Sequence, residues 1–334
     1  MDVRRVQMTG GSSYIITLPK EWVKKSNIEK NDPVGILTQS DGTLLITSEM
    51  NKRSQQRTKQ FEVTDKSNVT FLFRKLIGAY ISGYDSIIIK SQARMPTQVR
   101  KTIRKFIQTT IGQEVVEETD NKIILKDLLN PAEMPFNRSI KRMHIIVKGM
   151  YEDVLNSIRT KDKKLAEDVI LRDNEVDRLH WLIARQNNII NRNVNFAEKM
   201  GITIEDATTS YLISKRIERI GDHIIKIAEN YLSIIDKKID QKLIDKIISS
   251  AKFSIEILNK SIGSYSKKDI KEANEDIELV ETLNKKCEEV QTIVLKQEPI
   301  VALSAGYILE SIGRIGEYAE DISETVINHL VGKE

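Results

Sequence analysis

Four acidic residues are spaced so that they could bind a metal ion. Asp173 and Asp177 are four residues apart, and so are Glu218 and Asp222. Residues four apart share one face of an α-helix, where two like charges cost about 0.2–0.5 kcal/mol. Two such pairs on adjacent helices would raise one another's pKa unless a cation neutralised them. A metal ion with oxygen ligands is one such cation, as in carboxylate sites built into helical bundles.

The apolar pattern places both pairs of acids beside packed helix faces. Asp173 follows Val169 by four residues and precedes Val176 by three, so it is expected on the apolar stripe of its helix. Glu218 and Asp222 lie beside a stripe of isoleucines at positions 213, 217, 220, 224 and 227. The acids are therefore predicted at the seam between two helices.

The same acids have a second interpretation. Arg178, Arg216 and Arg219 could neutralise them in ordinary surface ion pairs, which contribute about 1 kcal/mol or less. His180 and His223 lie near the same faces and are expected to be packing or capping residues rather than ligands. Helical periodicity alone leaves the metal site and the ion pairs open.

The segment that carries Glu218 and Asp222 is partly repeated. Residues 216–230 read RIERIGDHIIKIAEN, and residues 312–324 read IGRIGEYAEDISE. Such a repeat indicates that the C-terminal half arose by duplication. In the second copy Glu317 occupies the position equivalent to Asp222. The other three acidic positions are occupied by Gly313, Val280 and Asn284. Glu278 and Glu281 lie nearby in the sequence. A full set of acids is expected in the first copy alone.

Proline usage separates the helical half from the rest. Five of the six prolines lie at or before Pro135, and the next is Pro299. The long interval without proline can sustain long helices, and breaks near residues 161–162, 199–201, 236–240, 263–268 and 298–299 divide the half from residue 137 onward into six helices. We predict a mainly α protein with tandem three-helix bundles over residues 137–236 and 240–332, antiparallel along the chain.

The first 132 residues have mixed strand and helix patterns. Strands are predicted at 3–9, 13–18, 33–39 and 43–47, with a short helix near Pro19 and a hairpin turn at Ser40-Asp41-Gly42. This small unit of residues 1–50 buries little by itself, so a partner chain is expected. Residues 51–59 are predicted to be a linker. A small α+β domain over 60–132 follows, with helices near 70–82 and 97–110 and strands near 86–90, 113–118 and 122–126.

Composition narrows the class of protein. The single Cys287 excludes a disulfide framework and a cysteine-based zinc site, which favours a cytoplasmic protein. No apolar run is long enough for membrane insertion. No nucleophile elbow, phosphate-binding glycine loop or HExxH motif occurs, so we do not expect an enzyme. Residues 1–59 hold ten Lys/Arg against six Asp/Glu, which favours a polyanionic partner. The basic stretch 90–105 is most simply a solvated helix face, and a nucleic-acid role for it is the less favoured alternative.

Residues 137–330 resemble the phosphate-uptake regulator family PhoU. The resemblance rests on the DNEVD segment at 173–177, on RIERIGDHIIKIAEN and on the tandem three-helix pattern. It implies that Asp173 with Asp177, and Glu218 with Asp222, are the family's two E/D-x-x-x-D motifs. These would hold a metal ion cluster, of iron or zinc, on the face of the first bundle.

The first 50 residues resemble the swapped-hairpin domains of the AbrB/SpoVT and MazE type. The matching segments are Gly10-Gly11-Ser12-Ser13, residues 15–19, Lys20-Glu21-Trp22, Ile28, Asn31-Asp32 and Asp41-Gly42. The resemblance implies a barrel shared by two chains whose basic face binds DNA. The implied phosphate contacts are Arg4, Arg5, Lys20, Lys24 and Lys25. This chain has Ser12-Ser13-Tyr14 where the family usually has a basic residue, so a barrel used only for dimerisation stays open.

The combination of these parts resembles an archaeal branch of the PhoU family. It implies a dimeric regulator of phosphate uptake that binds promoter DNA and a partner such as the phosphate transporter ATPase. Two alternatives remain open at this point: an adaptor of the transporter that does not bind DNA, and a carboxylate–metal enzyme.

Overall fold

The computed structural model describes residues 3–38, 42–48, 57–130 and 133–333, which form two units that divide after residue 56. The expected mainly α architecture, with a strand-rich N-terminal part and a small sheet domain, is confirmed. Parts of two predictions lie outside the described residues: the Ser40-Asp41 half of the hairpin turn and positions 51–56 of the linker.

The first unit consists of two hairpins and one short helix. Strands β1 (Gln7–Thr9) and β2 (Ser13–Ile15) pair antiparallel, helix α1 spans Lys20–Lys25, and strands β3 (Gly35–Thr38) and β4 (Leu44–Thr47) pair antiparallel. Gly10 and Gly11 have φ angles of 60° and 79°, which suit glycine in a tight turn. The β-β-α-β-β order matches the prediction. The first two strands are shorter than predicted because each pairs with one neighbour over three residues only.

No side chain that the structure describes in the first unit is buried. Met8, Tyr14, Ile36 and Leu44 are all more than 60% exposed, although they belong to strands. An isolated two-stranded hairpin is at best marginally stable in water. The described strands of the first unit therefore leave apolar side chains exposed.

The second unit begins with a four-stranded α+β domain. Its elements are β5 (Thr58–Val63), α2 (Val69–Ile81), β6 (Ser86–Ser91), α3 (Thr97–Thr109), β7 (Gln113–Glu118) and β8 (Lys122–Asp127). The strand order is β5-β6-β8-β7, with β5 and β6 parallel and the other pairs antiparallel. Strand β5 was not predicted, and positions 58–59 were assigned to the linker. It is an edge strand whose first five side chains are at most partly buried, so its sequence is polar.

Eight helices form the rest of the second unit. They are α4 (Phe136–Thr160), α5 (Lys163–Leu171), α6 (Asp173–Ile190), α7 (Val194–Met200), α8 (Ile204–Leu232), α9 (Gln241–Lys267), α10 (Ile270–Val294) and α11 (Pro299–Val331). Six long helical segments were predicted, and α7 is an additional short helix. The break predicted over 263–268 occurs only at its end, because α9 continues through Gly263 and Lys268 adopts a left-handed φ of 57°. Within the described residues, none of the helices is both long and apolar enough to cross a membrane.

The second predicted helix of the first bundle is interrupted at Arg172. The Arg172 guanidinium lies 2.5 Å from Asp153 on α4 and 3.1 Å from Asp168 on α5. These ion pairs hold the junction between α5 and α6. Asp173 is consequently the first residue of α6, rather than a mid-helix residue as predicted.

Helix α6 also attaches the α+β domain to the helical bundles. The Arg185 guanidinium is buried, lies 2.7 Å from Asp127, and donates hydrogen bonds to the Tyr80 and Tyr84 carbonyls at 2.7 and 3.0 Å. Asn188 donates to the Ile81 carbonyl at 3.0 Å. The loop after α2 is thus held by side chains of α6.

Two glycines that occupy equivalent positions in the repeat allow neighbouring helices to approach closely. A Cβ atom at Gly221 on α8 would lie 3.7 Å from Val176 on α6, which is an ordinary contact. A Cβ atom at Gly316 on α11 would lie only 2.3 Å from the Leu283 Cδ2 atom on α10. The second pair of helices is therefore the more tightly packed at this level.

We expect Gly221→Ala and Gly316→Ala to change stability in opposite directions. The first should raise the free energy of unfolding by about 0.5–1 kcal/mol, because alanine favours a helix and the methyl group has room. The second should lower it by about 1 kcal/mol, because overpacking against the buried Leu283 outweighs the same helix gain. Urea denaturation followed by helical circular dichroism measures both, and a gain in both variants would contradict the packing difference.

Candidate metal site

The four predicted acids lie along the seam between α6 and α8. Asp173 and Asp177 occupy the first two turns of α6, and Glu218 and Asp222 lie in the middle of α8. Gly221 lies beside Val176 at this level, so the two helices are close where the acids occur. The structure thus brings all four carboxylates into one electrostatic cluster.

Burial and mutual repulsion raise the pKa of the two acids on α6. The pKa of Asp173 rises to about 6, through burial first and then through the charges of Asp222 and Glu218. The pKa of Asp177 rises to about 7, again through burial first and then through the other three acids, with Lys215 acting in the opposite direction. Ionisation of this pair is therefore costly in the metal-free protein.

Two cations already neutralise part of the cluster. The Lys215 ammonium lies 2.8 Å from Glu218, and the Arg219 guanidinium lies 3.2 Å from Asp222. Of the other two arginines considered from sequence, Arg216 pairs with Asp321 on α11 and Arg178 donates to the Thr110 carbonyl at 3.5 Å.

Asp173 and Asp177 have no ion-pair partner within the described chain. The interpretation as surface ion pairs accordingly fits the acids of α8 and does not fit those of α6.

Two carboxylate oxygens in the cluster have unmet hydrogen-bonding capacity. Asp173 Oδ1 and Glu218 Oε2 are buried, and neither has a hydrogen-bond partner in the described structure. An unpartnered buried oxygen is costly, and a cation would relieve that cost. As the side chains stand, no three Asp, Glu, His or Cys residues of the described chain have the geometry to hold a metal ion. The donor chemistry fits a hard or borderline cation: Lys215 contacts Glu218 Oε1, and Glu218 Oε2, which lies 3.8 Å from Arg219 Nε, has no hydrogen-bond partner among the described residues.

The two nearby histidines both pack against aromatic rings, but His223 Nδ1 is buried without a hydrogen-bond partner in the described structure. His180 shares a 3.0 Å hydrogen bond with Ser214 and stacks on Tyr211, and burial lowers its pKa to about 4. His223 packs against Tyr318, with ring centroids 5.7 Å apart, and burial lowers its pKa to about 4. Both imidazoles are consequently neutral at pH 7.

The second repeat keeps the ion pair and loses the cluster. Arg314 lies 2.6 Å from Glu317, as Arg219 pairs with Asp222 in the first copy. Val280 is buried at the position equivalent to Asp173, and Glu281 is exposed and paired with Lys285. The second bundle therefore has a buried valine where the first has Asp173, and its remaining acid, Glu317, is paired with Arg314.

The predicted DNA contacts lie on the surface of the first unit. Arg4 and Arg5 precede β1 and are exposed, outside the strand in which they were expected. Lys20, Lys24 and Lys25 are exposed on α1.

Sequence reasoning missed a cavity at one end of the bundles whose wall contains a group of polar side chains. The cavity of about 270 Å³ lies among the start of α4, the start of α8 and the ends of α9 and α11. The His329 ring joins Thr209 at 3.0 Å to Asp206 at 3.1 Å, and Lys333 lies 2.6 Å from the same Asp206 oxygen. These residues are far apart in sequence and share no motif, so no local signal could have identified them.

We predict that Asp177→Asn changes the pH dependence of stability in chelator-treated protein. Between its ordinary value near 3.8 and about 7, Asp177 binds more protons folded than unfolded, so its contribution to stability falls as pH rises through that range. The asparagine variant should be more stable than wild type at pH 8 and nearly equal to it at pH 4.5, as measured by thermal unfolding. Glu175→Gln, an exposed change on the same helix, is the control. A difference independent of pH would contradict the assignment.

Comparisons with known proteins agree with this architecture. The PhoU domain model matches residues 140–231, and the model described as antidote-toxin recognition MazE, bacterial antitoxin, matches residues 7–54. The chain is 38% identical over 92 residues to a phosphate-specific transport system accessory protein PhoU homolog of Caulobacter vibrioides. That match covers 28% of this chain and spans 37% of the length of the relative.

Two further matches extend over the helical region. PhoU homolog 1 of Thermotoga maritima is 23% identical over 208 residues, covering 58% of this chain and 85% of the relative. The crystal structure of PhoU from Pseudomonas aeruginosa has a TM-score of 0.52 and 18% identity, over 61% of this chain and 99% of that one. At such low identity this likeness shows the fold alone. The two predicted resemblances are confirmed: residues 140–231 match the PhoU domain and residues 7–54 match the MazE domain.

Proposed function

We propose that this protein regulates phosphate uptake, with a metal-binding helical domain and an N-terminal domain that binds promoter DNA. The relatives from Caulobacter vibrioides and Thermotoga maritima are named as accessory proteins of the phosphate-specific transport system. By extension, the partner of the helical domain would be a component of a phosphate transporter, such as its ATPase. The observation that carries the metal proposal is that Asp173 Oδ1 and Glu218 Oε2 are buried and have no hydrogen-bond partner in the described structure.

The metal would be held by Asp173, Asp177, Glu218 and Asp222. Bound iron or zinc would supply positive charge to a cluster whose two α6 acids have raised pKa values. Deprotonation of Asp173 and Asp177 must accompany binding, so metal affinity should increase with pH up to about 7. The role is structural and regulatory: the metal would favour one arrangement of α6 relative to α8.

A change at this seam would reach the α+β domain through α6. The same helix that begins with Asp173 holds the loop after α2 through Arg185 and Asn188. A shift of α6 along α8 must therefore move the α+β domain or break a buried ion pair, which costs about 3–5 kcal/mol.

Metal content tests the first half of the proposal. We expect purified wild-type protein to bind iron or zinc and Asp222→Ala to lose most of it, as measured by inductively coupled plasma mass spectrometry after dialysis. Glu317→Ala is the matched control, because Glu317 has the same arginine contact in the repeat without the surrounding acids. Absence of metal from the wild type, or equal loss in both variants, would exclude the site.

The DNA-binding half of the proposal rests on the surface of the first unit. Its exposed strand residues lack a core of their own, which supports a homodimer in which two chains complete one barrel. Five exposed basic side chains would then be present twice in the dimer: Arg4, Arg5, Lys20, Lys24 and Lys25. Such side chains contact phosphates and make binding depend on salt.

Gel-shift and anisotropy measurements with promoter DNA of phosphate-uptake genes test this half. Arg4→Ala/Arg5→Ala should weaken binding at least tenfold and reduce the slope of log affinity against log salt by about 2 per chain. Arg138→Ala/Arg142→Ala, which removes two exposed arginines from α4, should leave both quantities unchanged. Wild-type protein that dimerises but binds no DNA would instead support the adaptor, with the barrel serving only for dimerisation.

A further inference from the structure

One face of the α+β domain carries positive charge without negative charge. Helices α2 and α3 contain no Asp or Glu. Their outward side and the adjoining strand β5 carry a set of six Lys and Arg residues, which we call the α2–α3 face: Lys59, Arg74, Lys75, Lys101, Arg104 and Lys105. Five of the six are exposed and Lys75 is half-buried.

These six cations are not neutralised within the described chain. None of them forms an ion pair with a described carboxylate, whereas Arg100, one turn before Arg104 on α3, pairs with Glu118 on β7. A face that serves only solubility usually mixes both signs, as α10 does with its Lys271–Glu275 and Lys285–Glu281 pairs. The α2–α3 face departs from that pattern.

Aromatic rings join the cations into one continuous surface. The Lys105 ammonium lies 5.3 Å from the Phe73 ring centroid, which links α3 to α2. The Lys75 ammonium lies 4.8 Å from the Phe71 ring and 5.3 Å from the Phe61 ring, which links α2 to β5. Cation–π contacts of this kind orient the ammonium groups without removing their charge.

The charge of the domain is also separated in space. Two acids of its C-terminal hairpin, Glu114 and Glu117, lie on β7 at the sheet edge opposite to β5, and Glu118 on the same strand is neutralised by Arg100. Glu62 on β5 points to the other face of the sheet from Lys59 and Phe61, because side chains alternate along a strand. The positive potential is therefore concentrated on the α2–α3 face, where it would attract a polyanion.

We propose that the α2–α3 face binds the phosphate backbone of duplex DNA without reading its sequence. The proposal extends the DNA binding proposed for the first unit and rests on it for the identity of the polyanion. Strand β5 follows β4 after a short segment of chain, so DNA held by the barrel would present its neighbouring phosphates at high effective concentration. Phosphate contacts of this kind increase affinity and position the duplex, while base contacts supply specificity.

The test compares charge-neutralising variants of the full-length protein by fluorescence anisotropy on promoter and random-sequence duplexes across a salt series. Lys101→Gln/Lys105→Gln should weaken binding to both duplexes by the same factor, about tenfold or more, and lower the salt slope by about 2 per chain. Lys101→Arg/Lys105→Arg, which keeps the charge, should have the affinity and the salt slope of the wild type. Lys271→Gln/Lys285→Gln, which removes the same charge from α10, should change neither quantity.

The outcomes separate this inference from the proposed function. If Arg4→Ala/Arg5→Ala weakens binding and Lys101→Gln/Lys105→Gln does not, DNA binding by the α2–α3 face is excluded and DNA binding by the first unit is supported. If only Lys101→Gln/Lys105→Gln weakens binding, DNA binding by the α2–α3 face is supported and DNA binding by the first unit is excluded. Failure of wild-type protein to bind any duplex, or tighter binding of single-stranded RNA than of duplex, would overturn the assignment to DNA.

Discussion

The buried charge of Arg185 holds the second unit together. Its guanidinium is only 1% exposed and is compensated by Asp127 and by two backbone carbonyls of the loop after α2. Desolvating a charge costs several kcal/mol, and this cost is offset only while all of these partners stay in place. The α+β domain and α6 must therefore keep one relative position. Everything that depends on α6, including the start of that helix at Asp173, is positioned by this constraint.

At the other end of α6, burial and like charge dominate the electrostatics. Asp173 is the first residue of the helix, where the helix dipole favours a negative charge by about 0.3–1 kcal/mol. Its pKa nevertheless rises to about 6, because burial and the two acids of α8 act in the opposite direction and are stronger. The first bundle thus retains a destabilising cluster that the second bundle has replaced with Val280 and close packing of Leu283 against Gly316.

Sequence reasoning was most successful where a pattern is local. Long helices follow from a 3.6-residue period without proline, and the i, i+4 acids were placed correctly beside the α6–α8 seam because that seam is made of the same period. Strand β5 was missed because an edge strand needs few apolar residues. The break at Arg172 was missed because its cause, Asp153, lies on another helix.

Residues that act through tertiary contacts leave no local signal of this kind. Arg185 looks like any polar residue in a helix until Asp127 and the Tyr80 carbonyl are placed around it. The Asp206–His329–Thr209 group lines a cavity formed by segments from both bundles. Spacing rules work within one element, so they cannot identify groups that the fold assembles from several.

The absence of buried side chains among the described residues of the first unit has a thermodynamic consequence. A unit whose apolar strands are covered only by a second chain folds by mass action, so each tenfold dilution of the protein lowers the stability of that unit by about 1.4 kcal/mol. The helical bundles have their own core and do not share this dependence. If the proposed dimer forms, the protein concentration therefore sets how much of the first unit is folded.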